Sequence, residues 1–480
     1  MNALQPRQPG RSLRASVTNM LVAATLVAAA LPAAAAGPTR TYSTLRYDED
    51  WSWLVENPPE TKDAFDPVKY REIGDTWHLT FGGSFRLRLE NDWNKLLAGP
   101  PILRDSLVRS RAWLNLEIGH EKDFRWFMEV RAAETDETER PVAPLMHDDP
   151  DIRNFFFEGT FASTTPHPVS IRAGRQELLF GAQRLISPLD WSNGRRTWEG
   201  LSVIAKSKRT KTTVFATHPV ENEPHDMDTA FGDVWFWGVY GTVKPKDGHV
   251  FDAYALVLDD ARDNYTSELG GPKSELERDT FGARYDYQAK SGFLAETEWA
   301  LQRGDVAGDD LSAWFGSLTV GYQWKDSKWK SKLTAGLDAA SGDSDPADGD
   351  RGTFDPLFPL GHAYFGHVDL VGRSNIKSAR LQFEAFPAKG FKWETALHRF
   401  WLFDETDALY DAAGKAIRRD ATGASGDDVA TELDMLFAYT FKTHHWVGFE
   451  ICRWWSGDFV KDTGYGDDAW FVWMGYEFKF

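Results

Sequence analysis

Arg86 and Arg88, and again Arg109 and Arg111, stand two residues apart, a spacing that puts both guanidiniums of each pair on one face of an extended strand. The same alternation turns Arg131, Arg172, Arg284 and Arg380 to that side, together with Glu90, Glu117, Glu129, Glu158, Asp286, Glu296, Glu298, Glu384, Glu432, Asp434 and Glu450. Arginine keeps its charge, and its planar fork matches a carboxylate. Such a face wrapped round a lumen would attract and sort anions. The competing reading is cross-strand Arg–Glu pairing that stiffens a barrel interior and touches no solute. The arginines crowd the first strands and the carboxylates the last, which predicts one basic wall, one acidic wall and a field between them that would orient a charged polymer.

The other reactive side chains do not assemble into a catalytic set. His362, His367 and His398 have no nucleophile motif beside them, which a hydrolase on an outer rim would need. The histidines are scattered, and His444 and His445 fall at an expected turn, so the spacing of a metal centre is missing. Cys452 is the single cysteine, which excludes an internal disulfide, and no basic neighbour activates its thiol. The acidic run from Asp343 to Asp350 offers oxygen ligands for calcium but lacks the closing bidentate Glu of a calcium hand. A solvated outer loop, bridged by divalent ions to lipopolysaccharide, is the alternative. We expect no catalytic residue, no resident metal and no cofactor.

Period-two alternation identifies the elements that must carry the charged face. Trp77, Leu79, Phe81, Phe85, Leu87 and Leu89 alternate with His78, Thr80, Ser84, Arg86, Arg88 and Glu90, and the chain ends on a strand with Trp470, Val472, Met474, Tyr476, Phe478 and Phe480 on one side. So apolar a strand exposed at the edge of a soluble sandwich would aggregate; in a membrane barrel it faces lipid. With the runs near 108–118 and 124–131, strands are expected near 153–162, 168–177, 196–206, 211–220, 233–243, 250–259, 279–288, 293–303, 311–325, 329–341, 375–387, 391–403, 428–441, 445–456 and 468–480, eighteen in all. Short links at 120–123, 162–168, 207–210, 244–249, 289–292, 325–328, 387–390 and 442–444 alternate with long ones at 132–152, 178–195, 260–278, 342–374 and 404–427. That is the rhythm of short periplasmic turns and long outer loops, which a sandwich has no reason to produce. The fold class is therefore all-β, a closed antiparallel transmembrane barrel of about eighteen strands.

Residues 1–36 read as a secretory signal, with Arg7, Arg11 and Arg14, an apolar core from Met20 to Leu31 and an alanine-rich cleavage site. Residues 37–76 follow as a periplasmic lead-in, and 77–480 as the barrel. Losing the signal takes away three arginines and no carboxylate, so the formal charge moves from −18 to −21 and nucleic acid is excluded as a partner. The mean hydropathy of −0.46 does not argue against a membrane barrel, because only alternate strand residues need be apolar. An aromatic content of 14% fits interfacial girdles, and equally a carbohydrate-binding protein. The segment from Arg175 to Arg196, carrying Glu177, Arg184, Asp190 and Arg195, follows an upward strand and contains glycines able to turn it inward. It is expected to constrict the lumen, the alternative being an ordinary external loop.

Several motifs go further. Ser170-Ile171-Arg172-Ala173-Gly174-Arg175-Gln176-Glu177-Leu178-Leu179-Phe180-Gly181, Arg184-Leu185-Ile186-Ser187-Pro188 and Asn193 to Gly200 resemble the signature region of the alginate export family of outer-membrane proteins. Gly349 to Tyr364 resembles that family's long-loop motif, and Leu45-Arg46-Tyr47-Asp48-Glu49-Asp50 its amino-terminal one. The resemblance implies an eighteen-stranded monomeric barrel in the outer membrane through which an anionic polysaccharide leaves by an arginine-lined pore, served by periplasmic export machinery. A passive porin for small sugars or carboxylates would use the same basic ladder. An outer-membrane hydrolase, or a barrel filled by paired charges that conducts nothing, are the remaining rivals.

Overall fold

In the computed structural model, which describes residues 40–480 apart from 96, 98–102, 137 and 139, each alternating run is a strand. The expected export signal at 1–36 lies outside these residues. The strands are β1 (Trp77–Trp93), β2 (Arg104–His120), β3 (Phe124–Asp136), β4 (Asp148–Phe161), β5 (Val169–Gln176) and β6 (Trp198–Lys206). There follow β7 (Thr210–Glu221), β8 (Val234–Val243), β9 (His249–Tyr265), β10 (Ser274–Gln288), β11 (Phe293–Val306) and β12 (Asp309–Gln323). The circuit is completed by β13 (Lys332–Ala340), β14 (Ile376–Ala388), β15 (Phe391–Leu402), β16 (Asp428–Phe441), β17 (His445–Ser456) and β18 (Ala469–Lys479). Every strand pairs antiparallel with its neighbour in sequence, and β18 closes on β1 with Ser84 opposite Lys479 and Trp93 opposite Trp470. Mutual backbone bonds between Gly83 and Phe480, at 3.0 and 2.9 Å, seal the seam.

The barrel is inside out relative to a soluble protein. Arg86, Arg88, Glu90 and Asp92 on β1 are buried while Phe85 is exposed; Leu114, Leu201, Trp299, Leu337 and Met474 are more than half exposed. A continuous apolar exterior of that kind is covered by lipid.

Several strands outrun their sequence limits at the long-loop end. The expected loops at 132–152 and 260–278 shrink because β3, β4, β9 and β10 extend as hairpins. Both faces of those extensions are polar, as in Asp148-Asp149-Pro150-Asp151, so alternation fades while backbone pairing continues. One outer connection is only a tight turn at Ala307 and Gly308, both with positive φ.

Arg40 and Pro59–Lys62 group apart from the barrel unit, which comprises Thr41–Pro58 and Asp63–Phe480. Within the latter, residues 177–197 and 352–375 turn into the lumen. Gly181 makes the first turn possible: its φ is +52°, and a Cβ there would lie 2.3 Å from the Tyr240 hydroxyl. Leu178, Phe180, Leu185 and Ile186 then pack with Phe354, Phe365, Val368 and Leu370 against Trp198, Phe215 and Phe236 of the wall, an apolar core inside the barrel.

Candidate functional site

The two inward segments join through their backbones. Ser187 N donates to Phe358 O (2.8 Å), Phe358 N to Leu185 O (2.8 Å) and Leu360 N to Gln183 O (2.9 Å). Arg196 Nη1 donates to Pro359 O (2.9 Å), Arg373 Nη1 to Arg184 O (2.9 Å), and the Tyr364 hydroxyl to Ala182 O.

The basic wall grips the tip of the first segment. Arg86 donates to the carbonyls of Asp190 (2.9 Å) and Ser192 (2.7 Å), Arg88 to that of Trp191 (2.9 Å), and Arg111 to Ser192 O (3.1 Å) and to Asp190 Oδ1 (3.1 Å). Arg195 reaches back to Asp190 Oδ1 (2.8 Å) and holds Glu177 through Nε (2.5 Å) and Nη2 (3.0 Å). Trp191 is clamped between the Arg88 guanidinium, 4.1 Å from its ring centre, and the His362 ring at 3.8 Å, and its Nε1 donates to Asp369 (3.0 Å).

The other arginines are engaged as well. Arg88 and Arg109 pair with Glu90 (3.0 and 3.4 Å), Arg172 with Glu158 (2.6 Å), Arg184 with Glu296 (2.7 Å) and Glu298 (3.1 Å), and Arg284 with Asp252 (2.8 Å) and Glu296 (2.6 Å). Arg131 lies 3.8 Å from Asp148, and Arg380 donates to Ala363 O (2.8 Å). Glu129 accepts from Asn154 (3.2 Å). Arg175 departs from the expected lumen position. As an odd-numbered residue of β5 it takes the outward side, opposite Phe155 and Glu199, and pairs with Glu199 at 2.6 Å.

Beside the basic wall, on the strands that lead through β18 into β1, Glu432 accepts from Val368 N (2.8 Å) and Asp434 faces His398 at 3.4 Å, with His367 on Glu450 next to them. The acidic wall expected from the sequence thus adjoins the basic one around the ring. That wall is acidic and histidine-lined. Cys452 is a buried free thiol within it. In the outer loop at 343–350, Asp343 and Asp348 direct carboxylate oxygens at backbone N–H groups of their own turn.

Three features escaped the sequence. Arg153, on the irregular start of β4, pairs with Asp228, and Arg373 holds Asp338 at 3.0 Å. The lead-in does not stop at the barrel's short-turn end. Thr44 O accepts from Arg195 Nη2 (3.0 Å), the Tyr47 hydroxyl donates to Glu177 O (2.7 Å), and the Tyr47 ring packs on Phe127 and Phe156 at 5.4 and 5.0 Å. The motif at Leu45 to Asp50 marked this stretch in the sequence but gave no sign that it enters the lumen.

At the long-loop end a cavity of about 620 Å³ is lined by Glu268, Arg278, Asp343, Arg351, Tyr410 and Arg419 among others. Burial and the adjoining Asp343 carboxyl push Glu268 up to about 7, against Arg351 at 3.5 Å. A carboxyl whose folded value lies above its ordinary 4.5 contributes stability that is full below that value and lost as pH rises through 7. Hydrogen exchange in residues 266–273, corrected for intrinsic rate, is therefore expected to be faster at about pH 8.5 than at about pH 5.5, with Glu268→Gln removing the difference.

The sequence profile described as alginate export matches residues 77–470. The fold is shared with solved structures at low identity: Pseudomonas aeruginosa OccD3 (OpdP), 12% identical with a TM-score of 0.56 over 84% of this chain and 91% of that one; P. aeruginosa OpdO, 10% and 0.58 over 84% and 97%; and Acinetobacter baumannii OccAB1, 13% and 0.54 over 84% and 96%. No curated protein matches the sequence.

Proposed function

Because the chain belongs to the alginate export family and forms an integral outer-membrane β-barrel channel, we propose that it passes an anionic polysaccharide of the alginate type from periplasm to cell exterior. The observation that carries this reading is the convergence of Arg86, Arg88 and Arg111 on the 190–192 tip. Uronate carboxylates are acceptors of the same kind as the carbonyls and carboxylates those guanidiniums now hold. A polymer could replace the inward segment contact by contact, without leaving an arginine bare. Glu432, Asp434 and Glu450, on the neighbouring strands, would bound the basic track on that side and keep the polymer on the arginines, and acidic outer loops would disfavour its return. Electrostatic lining, not bond chemistry, is the mechanism: no catalytic residue or cofactor takes part. The barrel would work as a monomer among lipid and lipopolysaccharide, fed by periplasmic export machinery, with residues 1–36 removed as its export signal.

Single-channel recording tests this. We expect anion selectivity and block by oligouronates at low concentration, with Arg109→Ala plus Arg111→Ala abolishing the block while neutral oligosaccharides stay inert. Cation preference, or indifference to oligouronates, overturns the export reading. A second reading, a porin for small sugars or carboxylates, is favoured by the cavity of about 620 Å³ at the mouth, which suits a small solute. Equal block by neutral sugars would select it.

A further inference from the structure

His147 and Asp149 at the start of β4 and His225 in the loop after β7 come from different outer connections, yet one donor atom of each lies within 4.8 Å of the others. His147 Nδ1 is 3.3 Å from Glu134 Oε2 at the end of β3. That contact orients the ring so that Nε2 faces Asp149 Oδ1 at 3.7 Å, and Nε2 is a buried atom with no hydrogen-bond partner among the described residues. His225 Nδ1 stands 3.5 Å from Asp149 Oδ2, and the two imidazole rings are 5.0 Å apart.

Two separations beyond good hydrogen-bond length, on either side of one carboxylate, suit three donors round a single ion. Metal bonds of about 2.0–2.2 Å put adjacent tetrahedral donors roughly 3.3–3.6 Å apart. A carboxylate on the far nitrogen of a ligating histidine is the usual device for fixing its tautomer. The backbone already joins the two loops: Asp149 N donates to Pro224 O (3.0 Å) and Asn222 Nδ2 to His147 O (3.3 Å). Beside this group, the Asp148, Asp151 and Asp228 carboxylates face Arg153 and Arg175 and need no added cation.

We propose that His147, Asp149 and His225 bind one divalent cation of the zinc class at the outer rim, with Glu134 as positioning residue. Two imidazoles and one carboxylate favour zinc, copper or nickel over calcium and magnesium. Three protein ligands leave a fourth position for water, and the His225 side chain, 76% exposed, leaves the site open to the medium.

The test is a zinc titration of the full folded barrel in detergent, with any affinity tag removed, read by competition with a chromophoric chelator and by the visible spectrum of the cobalt form. We expect one equivalent bound with four-coordinate cobalt bands. His147→Ala and His225→Ala should each abolish both signals while keeping the heat-modifiable gel mobility of a closed barrel. Glu134→Gln should weaken affinity by roughly tenfold to a hundredfold, because the ligands remain and only their orientation is lost. No saturable uptake, uptake unchanged in both histidine variants, or displacement by equimolar calcium overturns the assignment.

Discussion

Excising Leu179 to Ser192 is expected to raise single-channel conductance by roughly tenfold or more, since conductance follows the width and lining of the narrowest level. That stretch supplies the carbonyls and the Asp190 carboxylate held by Arg86, Arg88 and Arg111, and Phe180, Leu185 and Ile186 of the apolar core within the barrel. Its removal frees those guanidiniums for solute, so anion selectivity should rise along with conductance. A barrel that loses the segment and conducts no better would show that 352–375 or the Thr41–Pro58 lead-in blocks the lumen alone. Trp191→Ala is the milder form of the experiment. It removes the ring between Arg88 and His362 but leaves the backbone anchors, and should yield brief openings.

Arg195→Ala is expected to cost on the order of 3–5 kcal/mol, the usual penalty for stripping one partner from a buried ion pair. Both side chains of the Arg195–Glu177 pair are almost completely buried, at 2% and 3% exposure, and the guanidinium also ties Asp190 and Thr44 O. The loss should appear as a lower denaturant midpoint with proteolytic cleavage within 177–197. Arg195→Met with Glu177→Leu should recover much of it, because a volume-matched apolar pair leaves no bare charge. If the double variant is as unstable as Arg195→Ala, the lost bonds to Asp190 and Thr44 rather than the bare Glu177 carboxylate account for the penalty.

The barrel was legible because lipid on one side and charge on the other impose a period of two on every strand, and the eighteen expected runs match the eighteen strands. Limits were lost where both faces are wet, as at Asp148–Asp151. Parity likewise turned Arg86, Arg88 and Arg111 inward but could not say what they hold, since their partners at 190–192 arrive from a loop about a hundred residues away. Glycines marked the turn at 181. The second inward segment and Tyr47 left no periodic trace, because a chain that fills a charged lumen is as polar as one that meets water.

The seam between β1 and β18 also governs how the molecule comes into being. Arg46 ends its reach on the carbonyl of Phe480, 434 residues further on, and β1 finds its second partner only in the final strand. Contacts of such sequence separation form slowly, because the whole intervening chain must first be ordered. Until β18 meets β1, the edges of both strands are open and primed to pair with the wrong chain. Truncation by even a few residues at the carboxy terminus should therefore act on assembly yield far more than on the properties of those barrels that do close.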